Sequence, residues 1–399
     1  MTPPWRGPVS SPRGRRTRCG RPRRRSTRGS TSTWRADWRS SGCSSPRSSP
    51  PRTGQRGWRR SSSAGPARRA SRVAEPTVTA EPHPHPHPLH LSTPEEVEAA
   101  WQDTKLAQVL YHDWESRTYD DKWSISFDER CTGYARDRFV AVAGDSGWPY
   151  RTSLEVGCGT GFFSLNLKLA GVIDEVHVSD ISPGMVAATR RNAAGLGFAV
   201  EGRTADAERL PYDDDTFDLV VGHAVLHHVP DVALALAEML RVLRPGGRLV
   251  ICGEPTHWGD YVARRLSRAT WELTTRVTRL PWFRGAWARP AEELHESSRA
   301  AALEAVVDLH TFDPGRLAEA VRRAGGLDVR TVTDELTAAW WGWPVRTFEC
   351  AVREQRLGVR WRSFAYRSWL ALSRLDRLVA PVVPAPLYYN VSVTATKAG

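Results

Sequence analysis

The stretch that most constrains the fold is a short apolar strand followed at once by a glycine-rich turn and a helix. Residues 154–163 read LEVGCGTGFF. In open α/β sheets such a turn receives a nucleotide-like ligand, because glycine lets the main chain approach closely and the helix start offers free N–H groups. The glycines follow a G-x-G-x-G spacing, which differs from the G-x-G-x-x-G of dinucleotide sites. Glu155, two residues before the first glycine, suits a positively charged ligand and would sit badly beside a pyrophosphate.

From this turn onward, predicted strands and helices alternate, which is typical of a parallel sheet with helices on both faces. The predicted strands lie near residues 154–156, 175–180, 198–202, 217–222, 249–251, 327–333 and 391–396. The last of them alternates apolar and polar side chains, as a half-buried strand does. We therefore expect an α/β, doubly wound sheet.

Polar residues stand at the ends of several of these strands. Asp180 ends the second strand, 19 residues past Gly161, where an acid can accept both ribose hydroxyl protons. Asp206 follows the third strand, and the fourth runs into GHAVLHHVPD at residues 222–231. In this order, the elements over about residues 150–255 resemble the class I S-adenosylmethionine-dependent methyltransferases. The resemblance implies a Rossmann-like sheet of seven strands, with strands 1–6 parallel and strand 7 antiparallel, and S-adenosyl-L-methionine as cofactor.

The resemblance also implies the residues that hold this cofactor. Asp180 takes the ribose, Ile181 and Met185 flank the adenine, and Asp206 and the Ala207 N–H meet the adenine amino group and a ring nitrogen. The other predicted cofactor-binding residues are Glu155, Gly157, Gly159, Gly161 and His223. An NAD-binding protein would share the fold and Asp180 but needs the other glycine spacing.

Methyl transfer from a sulfonium is an in-line displacement with a good leaving group, so the protein mainly aligns and desolvates the reactants. A base is needed only if the acceptor is a weakly acidic hydroxyl or a protonated amine. His223, His227 and His228 are the candidates, since imidazole titrates near neutrality. Packing or helix capping is the alternative role for His227 and His228.

Three functions fit this reading. A methyltransferase acting on a small, partly apolar molecule is favoured. A nucleic-acid methyltransferase is disfavoured, because GHAV follows strand four where amino-directed enzymes carry an Asn/Asp-Pro-Pro-aromatic run. The third is a non-catalytic cofactor-binding or scaffold protein, although every expected cofactor acid is present.

The charge divides the chain in two. Residues 1–74 contain 20 arginines, no lysine and one acid, Asp37, whereas the remainder is acidic by seven charges. Residues 1–90, which end in a His-Pro linker, are predicted to be disordered. Arginine without lysine, and no methionine between Met1 and Met185, favour translated sequence upstream of a natural start near Val73 over a basic binding arm. The acidic body argues against specific nucleic-acid binding.

The methyltransferase domain is expected over residues 91–399. A capping box at residues 93–96 starts a helical pattern that continues to Trp114, and the aromatic-rich residues 114–123 resemble the lid of small-molecule methyltransferases. Tryptophan-rich helical insertions near residues 256–311 and 337–386 are expected to shape an apolar substrate pocket.

In the second insertion, an apolar stripe that includes Trp361, Ala365 and Trp369 is flanked by arginines. Ordinary packing is favoured for this helix over contact with an anionic membrane surface. No run of about 18 apolar residues predicts a membrane span. The six cysteines are scattered without a C-x-x-C pair, so we expect no metal site, no disulfide framework and a cytoplasmic location. Oligomeric state is left open.

Overall fold

In a computed structural model, the chain forms a seven-stranded sheet flanked by helices. The structure describes residue 99 and residues 102–123, 125–291, 294 and 307–399. The predicted tail over residues 1–90 and the capping box at residues 93–96 lie outside the described residues. The strands are β1 (Tyr150–Val156), β2 (Ile173–Asp180), β3 (Glu201–Thr204), β4 (Phe217–His223), β5 (Leu243–Pro255), β6 (Gly326–Asp334) and β7 (Asn390–Lys397).

The order of strands in the sheet is β3-β2-β1-β4-β5-β7-β6. Strand β1 pairs in parallel with both β2 and β4. Strand β7 runs antiparallel to its neighbours β5 and β6. The predicted doubly wound, Rossmann-like α/β sheet with an antiparallel seventh strand is confirmed. The strand order reverses between β1 and β4, and ligands of such sheets bind at the carboxyl ends beside that point.

The helices follow the strands as the sequence pattern predicts. They are α1 (Thr104–Glu115), α2 (Tyr119–Trp123), α3 (Glu129–Ala143), α4 (Phe162–Leu169), α5 (Pro183–Gly195), α6 (Val232–Arg241), α7 (His257–Thr278), α8 (Pro281–Arg284), α9 (Pro314–Arg323), α10 (Thr337–Ala351) and α11 (Val359–Val379). Several begin at a capping side chain: Ser182 accepts a hydrogen bond from the Met185 N–H, and Asp231 from the Leu234 N–H.

Both faces of the sheet are buried, which is why its central strands are almost continuously apolar. One face packs Phe139, Phe163 and Leu219 into a single cluster. The other face packs Leu236 and Met239 of α6 against the sheet. Burial of these side chains fixes the strands and therefore fixes where their carboxyl ends meet.

The third strand begins later than its apolar pattern indicates. Residues 198–202 were the expected strand, but β3 spans Glu201–Thr204. Gly197 adopts a positive φ of 86°, and the Phe198 N–H bonds back to the Ala193 carbonyl at 3.1 Å. The first residues of the predicted strand therefore complete the end of α5 instead.

Two other boundaries differ from the sequence prediction. Strand β5 begins at Leu243, where a loop was expected before residue 249; a shift in register lets it keep pairing with β4. The prediction of a helical pattern that continues from residue 93 to Trp114 is wrong. Asp103 is extended (φ −132°, ψ 102°) and caps a new helix, α1. Its carboxylate accepts the Lys105 and Leu106 N–H groups.

The insertions form a helical layer built on α10, which packs against both α7 and α11. Asp376 of α11 is buried and accepts the Leu336, Thr337 and Ala338 N–H groups at 2.9, 2.9 and 3.0 Å. This carboxylate therefore satisfies the first N–H groups of α10 and holds the two helices together. Among the described residues, no helix is both long and apolar enough to cross a membrane.

Candidate functional site

The carboxyl ends of the strands open into a cavity of about 1000 Å³. The glycine turn and strand ends form one part of its wall, helices α1 and α2 a second, and the insertion helices α10 and α11 a third. Its volume lies at the upper end of the range for small-molecule sites, so the space admits a cofactor together with a second molecule.

The glycine turn needs glycine for its backbone conformation and for space. Gly157 and Gly159 have positive φ values of 66° and 51°, which L side chains rarely adopt. A Cβ at Gly157 would lie 2.2 Å from a methyl group of Val225, and one at Gly159 would lie 3.7 Å from the Tyr119 ring. Gly161, at φ 87°, lies outside the cavity wall and starts α4.

Asp180 is buried at the end of β2 and lines the cavity. Its carboxylate accepts the Gly159 N–H and the Ser182 N–H, each at 2.9 Å. Burial raises the pKa of Asp180 to about 6, although the N–H groups around it act in the opposite direction. A carboxylate has roughly four lone-pair positions, so this one keeps acceptor positions for hydroxyl groups of a ligand.

Glu155 is also buried, but it is already bonded within the protein. Its carboxyl accepts the Ser164 N–H at 3.1 Å and the Ser164 hydroxyl, which ties β1 to α4. Burial raises the pKa of Glu155 to about 8. Its main visible role is therefore to join the strand to the helix, and it is largely uncharged at neutral pH.

Asp206 lies between the cavity and the first helix. Its carboxylate accepts a hydrogen bond from Lys105 of α1 at 2.6 Å, and Lys105 also bonds Glu208. The hydrogen bond that Lys105 donates to Asp206 is the largest cause that raises the pKa of Lys105. Helix α1 is thus fastened to the loop that carries Asp206 and Ala207, both of which line the cavity.

The first candidate base, His223, stands at the end of β4 among aromatic rings. Its ring centroid lies 5.2 Å from that of Phe162 and 5.4 Å from that of Phe163. The buried Nε2 atom has no hydrogen-bond partner within the described part of the chain. Burial lowers the pKa of His223 to about 4. This imidazole is neutral at physiological pH and is a weak base.

His227 is held by an acid that the sequence reading missed. Its Nδ1 lies 2.9 Å from Oε2 of Glu254, which is fully buried near the end of β5. Glu254 also accepts the N–H groups of Val225, Leu226 and His227 at 2.8, 2.9 and 3.1 Å. Burial acts to raise the pKa of Glu254, but the His227 and N–H contacts outweigh it, and the pKa lies below its ordinary value. We therefore assign the proton to Nδ1 of His227 and leave Nε2 as its basic nitrogen.

His228, the third candidate, joins His227 and Asp308 at the cavity wall. The three side chains bring ligand-type atoms within 4.8 Å of one another, the one such group found among residues that the structure describes. The His228 Nδ1 lies 3.0 Å from the Val307 carbonyl, and Asp308 approaches Arg264 at 3.3 Å. A metal ion, if one bound this chain, would find three donors here.

Comparison with known proteins identifies the domain. Residues 154–251 match the family model of a methyltransferase domain. Residues 154–251 are a methyltransferase domain.

Several of the relatives are demethylmenaquinone methyltransferases. A demethylmenaquinone methyltransferase of Clavibacter sepedonicus is 38% identical over 141 residues, which cover 32% of this chain and 56% of that protein. One from Deinococcus radiodurans is 35% identical over 130 residues, covering 30% and 54%. The chain spans about half the length of these relatives. A solved phosphoethanolamine N-methyltransferase 2 of Haemonchus contortus has a TM-score of 0.43 at 14% identity, covering 72% of this chain and 60% of that one.

The residues of this methyltransferase domain fit its cofactor. Asp180 keeps acceptor positions beside a turn in which Gly157 and Gly159 carry no side chain, and both face a cavity large enough for the nucleoside and more. Nine predicted cofactor residues line that cavity: Glu155, Gly157, Gly159, Asp180, Ile181, Met185, Asp206, Ala207 and His223. The candidate bases His227 and His228 line it too.

The structure adds Lys105, Glu254 and Asp308, which the sequence reading did not name. Glu254 had a usable signal, since it is an acid at the carboxyl end of a buried strand, as Asp180 is. Lys105 lies 101 residues from its partner Asp206, and no local sequence pattern predicts such a pair.

Proposed function

We propose that this chain transfers a methyl group from S-adenosylmethionine to a small, partly apolar molecule that carries an acidic hydroxyl. The observation that carries the proposal is the single cavity that joins Asp180 at the glycine turn to the His227–Glu254 pair and to the aromatic insertion helices. The demethylmenaquinone methyltransferases among its relatives support an aromatic acceptor of the quinol type.

The cofactor, when bound, supplies an electrophilic methyl group on a sulfonium. In the proposed site Asp180 accepts the ribose hydroxyls with the acceptor positions that Gly159 and Ser182 leave open. Ile181 and Met185 flank the adenine, and Asp206 and Ala207 meet its polar edge. Lys105 already bonds Asp206, so an adenine amino group shares that carboxylate with α1.

His227 is the proposed general base. Glu254 is the positioning residue: its carboxylate accepts a hydrogen bond from the Nδ1–H and so directs Nε2 as the acceptor for a substrate proton. Removing the hydroxyl proton raises the electron density on the oxygen and on the adjoining ring carbons, either of which is then a better nucleophile. His223 is less suited, because burial lowers its pKa to about 4.

Aromatic side chains give the acceptor region its apolar character. Trp343 of α10 and Tyr366 and Trp369 of α11 line the cavity. An apolar wall excludes water from the reacting pair, which strengthens the electrostatic contacts inside the site. A planar, partly apolar acceptor fits these surfaces better than a charged polymer such as nucleic acid.

Calorimetric binding of S-adenosylmethionine and S-adenosylhomocysteine tests the cofactor site. Asp180→Ala is expected to weaken both by at least about 100-fold, the cost of losing two hydrogen bonds to a charged group. Asp174→Ala, an exposed acid on the same strand, is the matched control and is expected to bind like the wild type. A folded wild type that binds neither ligand would overturn the proposal.

Transfer of labelled methyl to a soluble dihydroxynaphthalene tests the chemistry. His227→Gln is expected to reduce kcat by roughly 100-fold or more while cofactor binding is unchanged. His223→Gln is expected to keep the acidic limb of the pH profile unchanged, because that limb reports the base. Cofactor binding without transfer to any hydroxyl acceptor would favour a scaffold over an enzyme.

A further inference from the structure

One surface of the molecule combines exposed apolar side chains with arginines in an unusual way. Along α11 a row of residues spaced three and four apart faces solvent, so the row occupies one side of the helix. The row is Arg360, Phe364, Arg367, Ala371, Arg374 and Leu378. Phe364 is 51% exposed and Leu378 is 78% exposed; Val382, just past the helix, is 81% exposed. We call this row together with Leu375 and Val382 the outer face of α11.

The outer face carries positive charge with no acid to balance it. Arg360, Arg367 and Arg374 are all exposed, and none forms an ion pair with another described residue. The sole acid in the sequence of this helix, Asp376, is buried and accepts hydrogen bonds from N–H groups at the start of α10. Such a face is unfavourable in water, because large apolar side chains stay exposed beside charges that repel one another.

The opposite side of the same helix belongs to the site. Tyr366, Trp369, Leu370 and Ser373 line the cavity. The helix is anchored at two points: Asp376 bonds the start of α10, and the Trp361 Nε1–H donates to Glu349 of α10 at 2.7 Å. The helix is therefore held in place between the cavity on one side and solvent on the other.

We propose that the outer face of α11 binds an anionic phospholipid surface. Leucine, phenylalanine and valine enter the boundary between headgroups and acyl chains, while the arginine stems run along the apolar face and their guanidinium groups meet lipid phosphates. Charge complementarity selects this occupant, since an anionic surface neutralises the three arginines. Docking in this way brings the cavity wall to the membrane. The inference does not depend on the proposed reaction, because it concerns the opposite side of the helix.

The test uses the full chain without cofactor, mixed with vesicles of equal amounts of phosphatidylglycerol and phosphatidylcholine. Hydroxyl-radical footprinting read by mass spectrometry reports the exposure of individual side chains. We expect labelling of Phe364 and Leu378 to fall at least about fivefold on vesicle binding, because both side chains leave water. Leu169 and Leu234, exposed at 42% and 45% on α4 and α6, are the internal controls and should label as before.

A double variant, Leu378→Glu with Val382→Glu, is expected to weaken vesicle binding by roughly 100-fold, at about tenfold for each side chain withdrawn from the apolar phase. Leu169→Glu with Leu234→Glu makes the same change of charge elsewhere and should bind normally. The arginine-rich residues 1–74 are common to all these proteins, and binding through them alone would leave the labelling of Phe364 and Leu378 unchanged.

Several results would overturn the proposal. One is sedimentation with vesicles while Phe364 and Leu378 label unchanged, which would assign binding to another part of the chain. Protection confined to Trp282, 89% exposed on α8, would do the same. Equal binding to pure phosphatidylcholine would remove the role of the arginines. Protection that grows with protein concentration in the absence of vesicles would identify a second copy of the chain as the occupant.

Discussion

Replacing Glu254 by glutamine probes the buried contact on which the proposed base depends. One carboxylate oxygen accepts the Val225 and Leu226 N–H groups, and the other accepts the N–H and Nδ1 of His227. In Glu254→Gln an NH₂ group replaces one oxygen and faces two donors. Two hydrogen bonds to a charged group are lost, at about 1.5–3 kcal/mol each, so we expect the free energy of unfolding to fall by about 3–6 kcal/mol.

Urea denaturation followed by circular dichroism measures this loss. Glu319→Gln on α9, whose side chain is half exposed, is the matched control and should stay within about 0.5 kcal/mol of the wild type. Nitrogen chemical shifts of His227 supply a second readout, because the Nδ1–H tautomer loses its acceptor in the Glu254 variant. If Glu254→Gln unfolds within about 1 kcal/mol of the wild type, the four contacts do not stabilise the loop as argued.

Three further predictions concern the glycine turn, the first strand and the insertion. Gly157→Ala places a Cβ 2.2 Å from Val225 at a positive φ, so thermal denaturation should show a loss of at least about 2 kcal/mol, whereas Gly171→Ala, with open space around it, should lose only the smaller cost of its φ. The pKa of Glu155 is raised from 4.5 to about 8, so its contribution to stability is complete below pH 4.5 and is lost as the pH rises through 8. Compared with Glu155→Gln, the apo wild type should lose stability between these pH values, by at most about 1.4 kcal/mol per pH unit. A stability difference that stays constant with pH would contradict the burial argument. Asp376→Asn leaves N–H groups of α10 facing an amide NH₂ and should cost about 2–4 kcal/mol in chemical denaturation; an unchanged midpoint would show that α11 is held by packing alone.

Much of the fold was predictable because local patterns agree with the tertiary arrangement. The alternation of apolar strands and helices, the capping residues Ser182, Asp231 and Asp313, and the polar–apolar alternation of β7 each act over a few residues. The misplaced start of β3 has a local cause as well. Gly197 has a positive φ, and the N–H of the next residue, Phe198, bonds back to α5, so a residue predicted in the strand belongs to the helix end.

The candidate site was predictable where it is built from strand ends. Carboxyl ends of parallel strands meet at one edge, so Asp180, Asp206 and His223 had to approach one another. The choice among the three histidines was not predictable. It depends on Glu254, whose bonds reach back 27 to 29 residues, and on the burial that makes His223 a weak base.

By itself, the sequence determined the doubly wound sheet, the glycine turn and the acids that line its edge, because these follow from periodicity and from the backbone freedom of single residues. Only the tertiary structure decided that Lys105 fastens α1 over Asp206, that Glu254 orients His227, and that α11 has one side in the cavity and the other in solvent. Hydrogen bonds, burial and charge pairing act through space, so they join residues that no interval along the chain relates.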